Sequence, residues 1–313
     1  MFSERILPYQ EQSYGSGLLW LTRTNCFVYQ SMMIVLLSLT AFATNYFVYQ
    51  YPGNVYLPSA NLVAGLRLPL IYAGFYLLYG QTGKMTQITK EVVYFLGVVV
   101  LIGFATNAAQ YTPFPTIDHH ILAVESLLKI HTSEILIWTH SHPLIKFCLE
   151  VVYASLQHQL YLIPLVVIAI GRTDLIREHY FLLVTTTLIG FTFYYFFPTM
   201  APASVINSPY FNESQHATHI KFYQLHHHIQ PETIDGGLIA LPSFHVIWAW
   251  LCLYLLRGWP IAFGLLLPVN LLVTVSCVLL GWHYFMDILG AVAVIIFAHC
   301  LYGFTGLTVP HQD

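Results

Sequence analysis

Along most of this chain the apolar positions do not alternate with polar ones. They run together for about the length of a bilayer core, roughly 20 residues of helix. Eight such runs predict spans near 27–49, 61–80, 91–110, 145–170, 176–197, 242–257, 259–281 and 283–303. Turn-forming breaks separate them at Tyr51-Pro52-Gly53-Asn54, Gly80-Gln81-Thr82-Gly83-Lys84, Gly171 to Glu178 and Arg257-Gly258-Trp259-Pro260. Two stretches, 111–144 and 198–241, depart from the pattern. In the first, Ile121, Leu122, Val124, Leu127, Leu128 and then Ile135 to Trp138 are mixed with Asp118, Glu125, Lys129 and Glu134. That periodicity predicts one or two amphipathic helices lying in the membrane interface. The second is polar and rich in histidine, and a long loop abutting a site reads as a lid or substrate-binding element. No repeat of fixed period and no low-complexity tract is present. The expected fold is therefore all-α: a polytopic transmembrane bundle of about eight spans. N-terminal helices occupy 1–110, a second unit with both outer loops occupies 111–303, and 304–313 form a short cytoplasmic tail.

Composition supports this and narrows the partners. Apolar residues make up 57% and charged residues 8%, against about 25% charged in an ordinary soluble domain, and mean hydropathy is +0.65. No large soluble domain fits in the remainder. A net charge of -3 without a basic face offers nothing to nucleic acid. The five cysteines (Cys26, Cys148, Cys252, Cys277, Cys300) all fall in apolar runs, which predicts no disulfide framework. The first 25 residues lack the short apolar core of a cleavable signal, so the first span is expected to act as its own insertion signal. With both termini cytoplasmic, the inner face receives seven cations (Arg5, Arg23, Lys84, Lys90, Arg172, Arg177, Arg257). The outer segments receive three (Lys129, Lys146, Lys221), and Arg67 lies within the second span. The excess of positive charge inside supports that orientation.

Two phrases then stand out, Leu241-Pro242-Ser243-Phe244-His245-Val246 and Gly281-Trp282-His283-Tyr284-Phe285-Met286-Asp287. Each opens an apolar run, and ionisable residues at such depth are costly and mark function. One span separates them, so both return to the same, outer side of the membrane. In a helix beginning near Trp282, His283 and Asp287 stand at i and i+4 on one face. The carboxylate can take the proton of one imidazole nitrogen and leave the other free to attack. His245 is placed to protonate a leaving group. Both helix starts offer unpaired N–H groups and a positive dipole end to a phosphate, with Pro242 suited to the first helical position and the Ser243 hydroxyl beside the anion. These parts fit transfer of a phosphoryl or phosphodiester group through a phosphohistidine.

Competing readings apply to each group. His283 and Asp287 can serve as interhelical hydrogen-bonding partners, and with His245 they also resemble a metal triad. His216, His219, His226, His227 and His228 invite a metal reading too, but their spacing fits a solvated or headgroup-facing loop better. Glu150, Gln157, His158 and Gln159 read as interhelical hydrogen-bonding groups, and Tyr153 as packing. Arg67 either snorkels to headgroups or clamps a phosphate. A proton-coupled transporter would spread its ionisable residues through the midplane and repeat its halves; here they concentrate at one interface of the C-terminal half.

The two phrases resemble those of the type 2 phosphatidic acid phosphatase superfamily, in particular the branch related to inositol phosphorylceramide synthases. The match is Pro-Ser-x-His at 242–245 and Gly-x-His-Tyr-x-x-Asp at 281–287, with Tyr195-Phe196-Phe197-Pro198-Thr199-Met200-Ala201-Pro202 similar to that branch's segment before the active-site loop. The resemblance covers roughly 115–300. It implies a six-helix phosphatase-like core, His283 as nucleophile, Asp287 as its orienting partner, His245 as acid, and no metal or other cofactor. The superfamily's Lys-x6-Arg-Pro phrase has no counterpart, and Ser276-Cys277 stand where a Ser-Arg pair is expected. Relatives in the synthase branch also lack both. Arg67 and Lys221 are then the candidate phosphate clamps. The expected protein is an enzyme of a bacterial inner membrane, its site facing the periplasm. It cleaves or transfers the phosphate-bearing headgroup of a membrane lipid, with water as acceptor or, alternatively, a lipid alcohol.

Overall fold

A computed structural model describes residues 22–56 and 59–306, and among these the chain is all-helical. The helices are α1 (Arg23–Thr44), α2 (Ser59–Tyr79), α3 (Lys84–Ala109), α4 (Asp118–Leu127), α5 (Thr132–His140), α6 (Pro143–Ile170), α7 (Thr173–Phe196), α8 (Glu213–His226), α9 (Phe244–Leu255), α10 (Pro260–Leu279) and α11 (Phe285–Gly306). A π-helical turn, Asn45–Tyr49, extends α1, and a 3-10 turn, Pro202–Ser204, precedes α8. Arg5 of the charge count and the tail beyond 306 lie outside the described residues.

Helices stand at all eight stretches expected to span. Five of them, α1 with its π turn, α3, α6, α10 and α11, are long and apolar enough to cross a membrane. The chain is an integral membrane protein. Its lipid-facing surface shows in large apolar side chains left exposed on these helices, such as Leu36, Phe147, Leu162, Leu265 and Ile296. Of the remaining three, α7 has its apolar residues diluted by Thr185, Thr186 and Thr187, and α9 has only 12 residues. These two are instead the most enclosed. α7 is buried along most of its length and packs on α1, α3, α9 and α11, while α9 is surrounded by α6, α7, α10 and α11. At the end of α9 away from His245, Glu178 of α7 takes the Arg257 guanidinium and the Tyr254 hydroxyl (3.0 Å). A buried acid so paired avoids the penalty of an isolated charge. All five cysteines are free thiols.

The segment 111–142 holds two short helices, α4 and α5, where one or two amphipathic helices were expected. Asp118 and Glu125, the acids mixed into that apolar pattern, are fully buried. Residues 118, 121 and 125 follow i, i+3, i+7 and form one face, which turns inward toward the start of α11. Val124, Leu127 and Leu128 point outward instead. That arrangement suits a surrounding that is itself apolar.

Close approach around α9 depends on two glycines. A Cβ on Gly190 of α7 would lie 2.6 Å from the Phe244 ring, and one on Gly290 of α11 would lie 2.6 Å from Leu241. The phrase 241–245 is thus clamped between α7 and α11. Gly190→Ala is expected to lower the thermal midpoint in detergent, by overpacking of about 1–3 kcal/mol. Gly264→Ala on α10, where nothing lies within 4 Å of the added atom, should leave it unchanged or raise it, as helix propensity dictates.

Candidate active site

Both sequence phrases end in helix starts, with two corrections. α9 begins at Phe244 with Ser243 as its N-cap, so Pro242 precedes the cap rather than occupying the first helical position. α11 begins at Phe285, so His283 stands in the turn before the helix rather than inside it. Gly281 makes that turn with φ of 77°, and a Cβ there would sit 2.8 Å from Phe211 and 2.9 Å from Leu136. Asp287 is the third helical residue. Its Oδ2 accepts the Tyr284 N–H at 2.9 Å, as an acidic residue at this position of a capping box does. The same oxygen lies 3.2 Å from His283 Nδ1. The main chain joins the phrases directly, because Ser243 N–H donates to the Asp287 carbonyl at 3.1 Å.

The tautomer of His283 follows from its partners. Nδ1 also lies 3.1 Å from the carbonyl oxygen of Ala240. A carbonyl only accepts, so Nδ1 carries the hydrogen and Nε2 keeps its lone pair. That Nε2 is 3.3 Å from Nδ1 of His245, which must then present its own N–H. The structure therefore brings His245, His283 and Asp287 into one chain of contacts, with a nucleophilic lone pair facing a proton donor. Tyr153 of α6 stacks on His245 (centroids 4.4 Å apart) and on Trp282 (5.5 Å), and its hydroxyl is 3.4 Å from His245 Nδ1.

The histidines open onto a cleft of about 500 Å³ lined by Tyr153, Gln157, Thr218, the loop 236–240 and Trp282. Beneath it lies a layer of acids that sequence reasoning missed. Asp118 accepts the Met200 N–H at 3.0 and 2.9 Å and the Tyr284 hydroxyl at 3.1 Å. Glu125 accepts the Met286 N–H at 3.1 Å. Glu125, bonded to the first turn of α11, sits at the positive end of its dipole. Burial pushes the Asp118 carboxyl up to about 6, against the pull of Met200 and Tyr284; burial also raises that of Glu125.

The remaining sequence candidates fall elsewhere. Ser243 is fully buried behind the histidines and does not line the cleft. Arg67 is exposed on α2, which packs on α3 away from the cleft. Lys221 is buried on α8 and spends its donors on main-chain carbonyls of 234, 235 and 237. The loop histidines engage neighbours: His226 contacts the Thr112 carbonyl at 3.0 Å and stacks on Phe222, and His227 stacks on Tyr223. Among the described residues no three His, Cys, Asp or Glu side chains are grouped to hold a metal ion. Glu150 pairs with Lys146, while Tyr153 and Gln157, read from sequence as packing and interhelical groups, face the cleft one turn apart. Their i, i+4 spacing on an apolar helix was the available signal, as was the 118, 121, 125 face of α4.

With this geometry in hand, a family comparison is decisive: the model of the PAP2 superfamily matches residues 119–301. The chain belongs to the PAP2 superfamily. Members of the PAP2 superfamily are phosphatases and phosphotransferases, and the matched span includes both histidine phrases, with α1–α3 preceding it. No curated protein and no solved structure gives a significant match.

Two outcomes follow from the acid layer and the stacked tyrosine. A carboxyl held above its ordinary value favours the folded state most below about pH 4, and that contribution is lost as pH rises through about 6. Asp118→Asn should therefore flatten the fall in thermal midpoint between pH 4 and 6 relative to the parent. Tyr153→Phe keeps the stack and should retain most activity, whereas Tyr153→Ala should lose about tenfold or more by freeing the His245 ring. Parallel turnover assays of the two variants check this.

Proposed function

We propose that the protein is an integral membrane enzyme that removes or transfers the phosphate-bearing headgroup of a lipid at the non-cytoplasmic face, through a phosphohistidine on His283. The observation that carries this reading is the 3.3 Å approach of His283 Nε2, lone pair outward, to the N–H of His245. With the phosphoryl group inserted where the rings now touch, Nε2 forms a bond to phosphorus as the ester oxygen leaves. His245 gives its proton to that oxygen as general acid. Asp287 and the Ala240 carbonyl stabilise the charge that develops on His283. An acceptor hydroxyl then attacks phosphorus, His245 takes its proton, and the N–P bond breaks. The scheme needs no metal.

Water is the first acceptor to consider, which makes the enzyme a lipid phosphatase. Transfer to a lipid alcohol, as in the inositol phosphorylceramide synthase branch, is the second. One observation favours it: no Lys or Arg lines the cleft, a setting better matched to a singly charged phosphodiester than to a doubly charged monoester. The excess of cations at Arg23, Lys84, Lys90, Arg172, Arg177 and Arg257 supports a site on the outer side, hence a periplasmic one in a bacterial inner membrane. The eight-span topology belongs to the same reading.

Purified protein in detergent with EDTA, given a panel of phospholipids and phosphorylated isoprenoids, tests the proposal. Free phosphate and new lipids would be followed with and without diacylglycerol or ceramide. Turnover should survive EDTA, disappear in His283→Ala and fall by about 10²–10⁴-fold in His245→Ala. Turnover that persisted in His283→Ala, or that required added metal, would contradict it. Free phosphate as product identifies a phosphatase, and a new lipid without free phosphate a transferase.

A further inference from the structure

A phosphate entering the cleft meets two histidines but no Lys or Arg side chain on its lining. The loop 234–240 forms one wall, and two residues of α8 grip it, of which Thr218 also lines the cleft. Lys221 Nζ donates to the carbonyls of Ile234 (3.2 Å), Asp235 and Gly237 (2.8 Å), and Thr218 Oγ1 donates to the carbonyl of Gly236. Four consecutive carbonyls thus turn toward α8. In a trans peptide the N–H points opposite to the C=O it is bonded through. The N–H groups of Gly236, Gly237 and Leu238 therefore turn away from α8, and these same residues line the cleft. Among the described residues those three N–H groups, and that of Ile239, donate to no acceptor.

The conformation depends on glycine. Gly236 and Gly237 have φ of 80° and 72°, and a Cβ at Gly236 would fall 2.1 Å from the Ser214 carbonyl oxygen. Successive N–H groups in such a turn form a concavity that binds anions. Lys221 is only 5% exposed. Its ammonium sits at the carbonyl ends of peptide units whose N–H ends turn away from α8, so their dipoles carry positive potential outward while no ammonium group stands on the cleft lining. Burial lowers its pKa to about 8, with Asp235 opposing the fall.

We propose that the main-chain N–H groups of Gly236, Gly237 and Leu238 are the cradle that holds the substrate's phosphoryl group against His283, with Thr218 and Lys221 as positioning residues. The proposal rests on the phosphoryl-transfer reading for its substrate and supplies the clamp that the missing cationic phrases leave unfilled. The ligand chemistry is a phosphate group, either free or within a lipid headgroup.

Amide hydrogen exchange of the full chain in detergent tests it, with inorganic phosphate and a short-chain phospholipid as separate probes. Phosphate should inhibit turnover competitively and slow exchange at 236–238 by about tenfold or more, as newly made hydrogen bonds do. Protection by both probes assigns the cradle to the phosphate group itself, and protection by the lipid alone assigns it to the ester. Thr218→Val, nearly isosteric, should raise the phosphate inhibition constant and KM by about three- to tenfold, the worth of about one hydrogen bond, while kcat stays within about twofold. Lys221→Met should do so more strongly. A purely structural role for Thr218 would instead lower the thermal midpoint without moving the inhibition constant. Competitive inhibition with no protection of 236–238 overturns the cradle and leaves the enzyme reading standing. Protection in a protein with no turnover on any lipid keeps the cradle and removes that reading.

Discussion

The site depends on how the Nδ1 edge of His283 is occupied. Two acceptors, the Asp287 carboxylate and the Ala240 carbonyl, converge on that nitrogen and fix the hydrogen there. The opposite nitrogen is left as a base aimed at His245. Each acceptor is itself held. Asp287 caps α11 through the Tyr284 N–H, and its carbonyl binds Ser243 at the start of α9. Ala240 ends the loop that lines the cleft, and the next residue, Leu241, is tied to the Thr199 hydroxyl at 2.9 Å. One imidazole therefore links two helix starts and two loops, and its orientation is a property of the bundle rather than of a single helix.

The acids below this centre extend the same principle. Asp118 ties the segment before the 3-10 turn, at Met200, to the turn before α11, at Tyr284. Glu125 holds the first turn of α11 itself. Burying two carboxylates is unfavourable unless donors meet them. Here main-chain N–H groups and a tyrosine hydroxyl do so, and Glu125 also meets the positive end of the α11 dipole. Helices α7 and α11 hold the start of α9 in turn, with Gly190 and Gly290 allowing the approach of Phe244 and Leu241.

Much of the architecture was legible in the sequence because hydropathy reports span length directly, and helices stand at all eight expected stretches. The histidine phrases were legible because ionisable residues at a helix mouth have few structural excuses. The faces of α4 were not. Periodicity separates Asp118 and Glu125 from Leu127 and Leu128, but it does not say which face meets the protein when the surroundings are apolar. Tyr153 was lost for a related reason: its one local mark, Gln157 a turn further on, does not separate a cleft-lining pair from interhelical packing on an apolar helix. The exact start of α11 depended on Asp287 acting as a capping residue, which moved His283 out of the helix by two positions. Lys221 was noticed for its charge, but its captured carbonyls arise from the path of a loop that no local pattern encodes.

The most direct test of the account is rapid acid-free quenching of the enzyme during turnover of a lipid labelled at phosphorus, followed by peptide mapping. A phosphoryl group stable to alkali, labile to acid and located on His283 is the predicted result, with none retained by His283→Ala. Turnover at full rate without any phosphorylated peptide, or label on a residue other than His283, would contradict it.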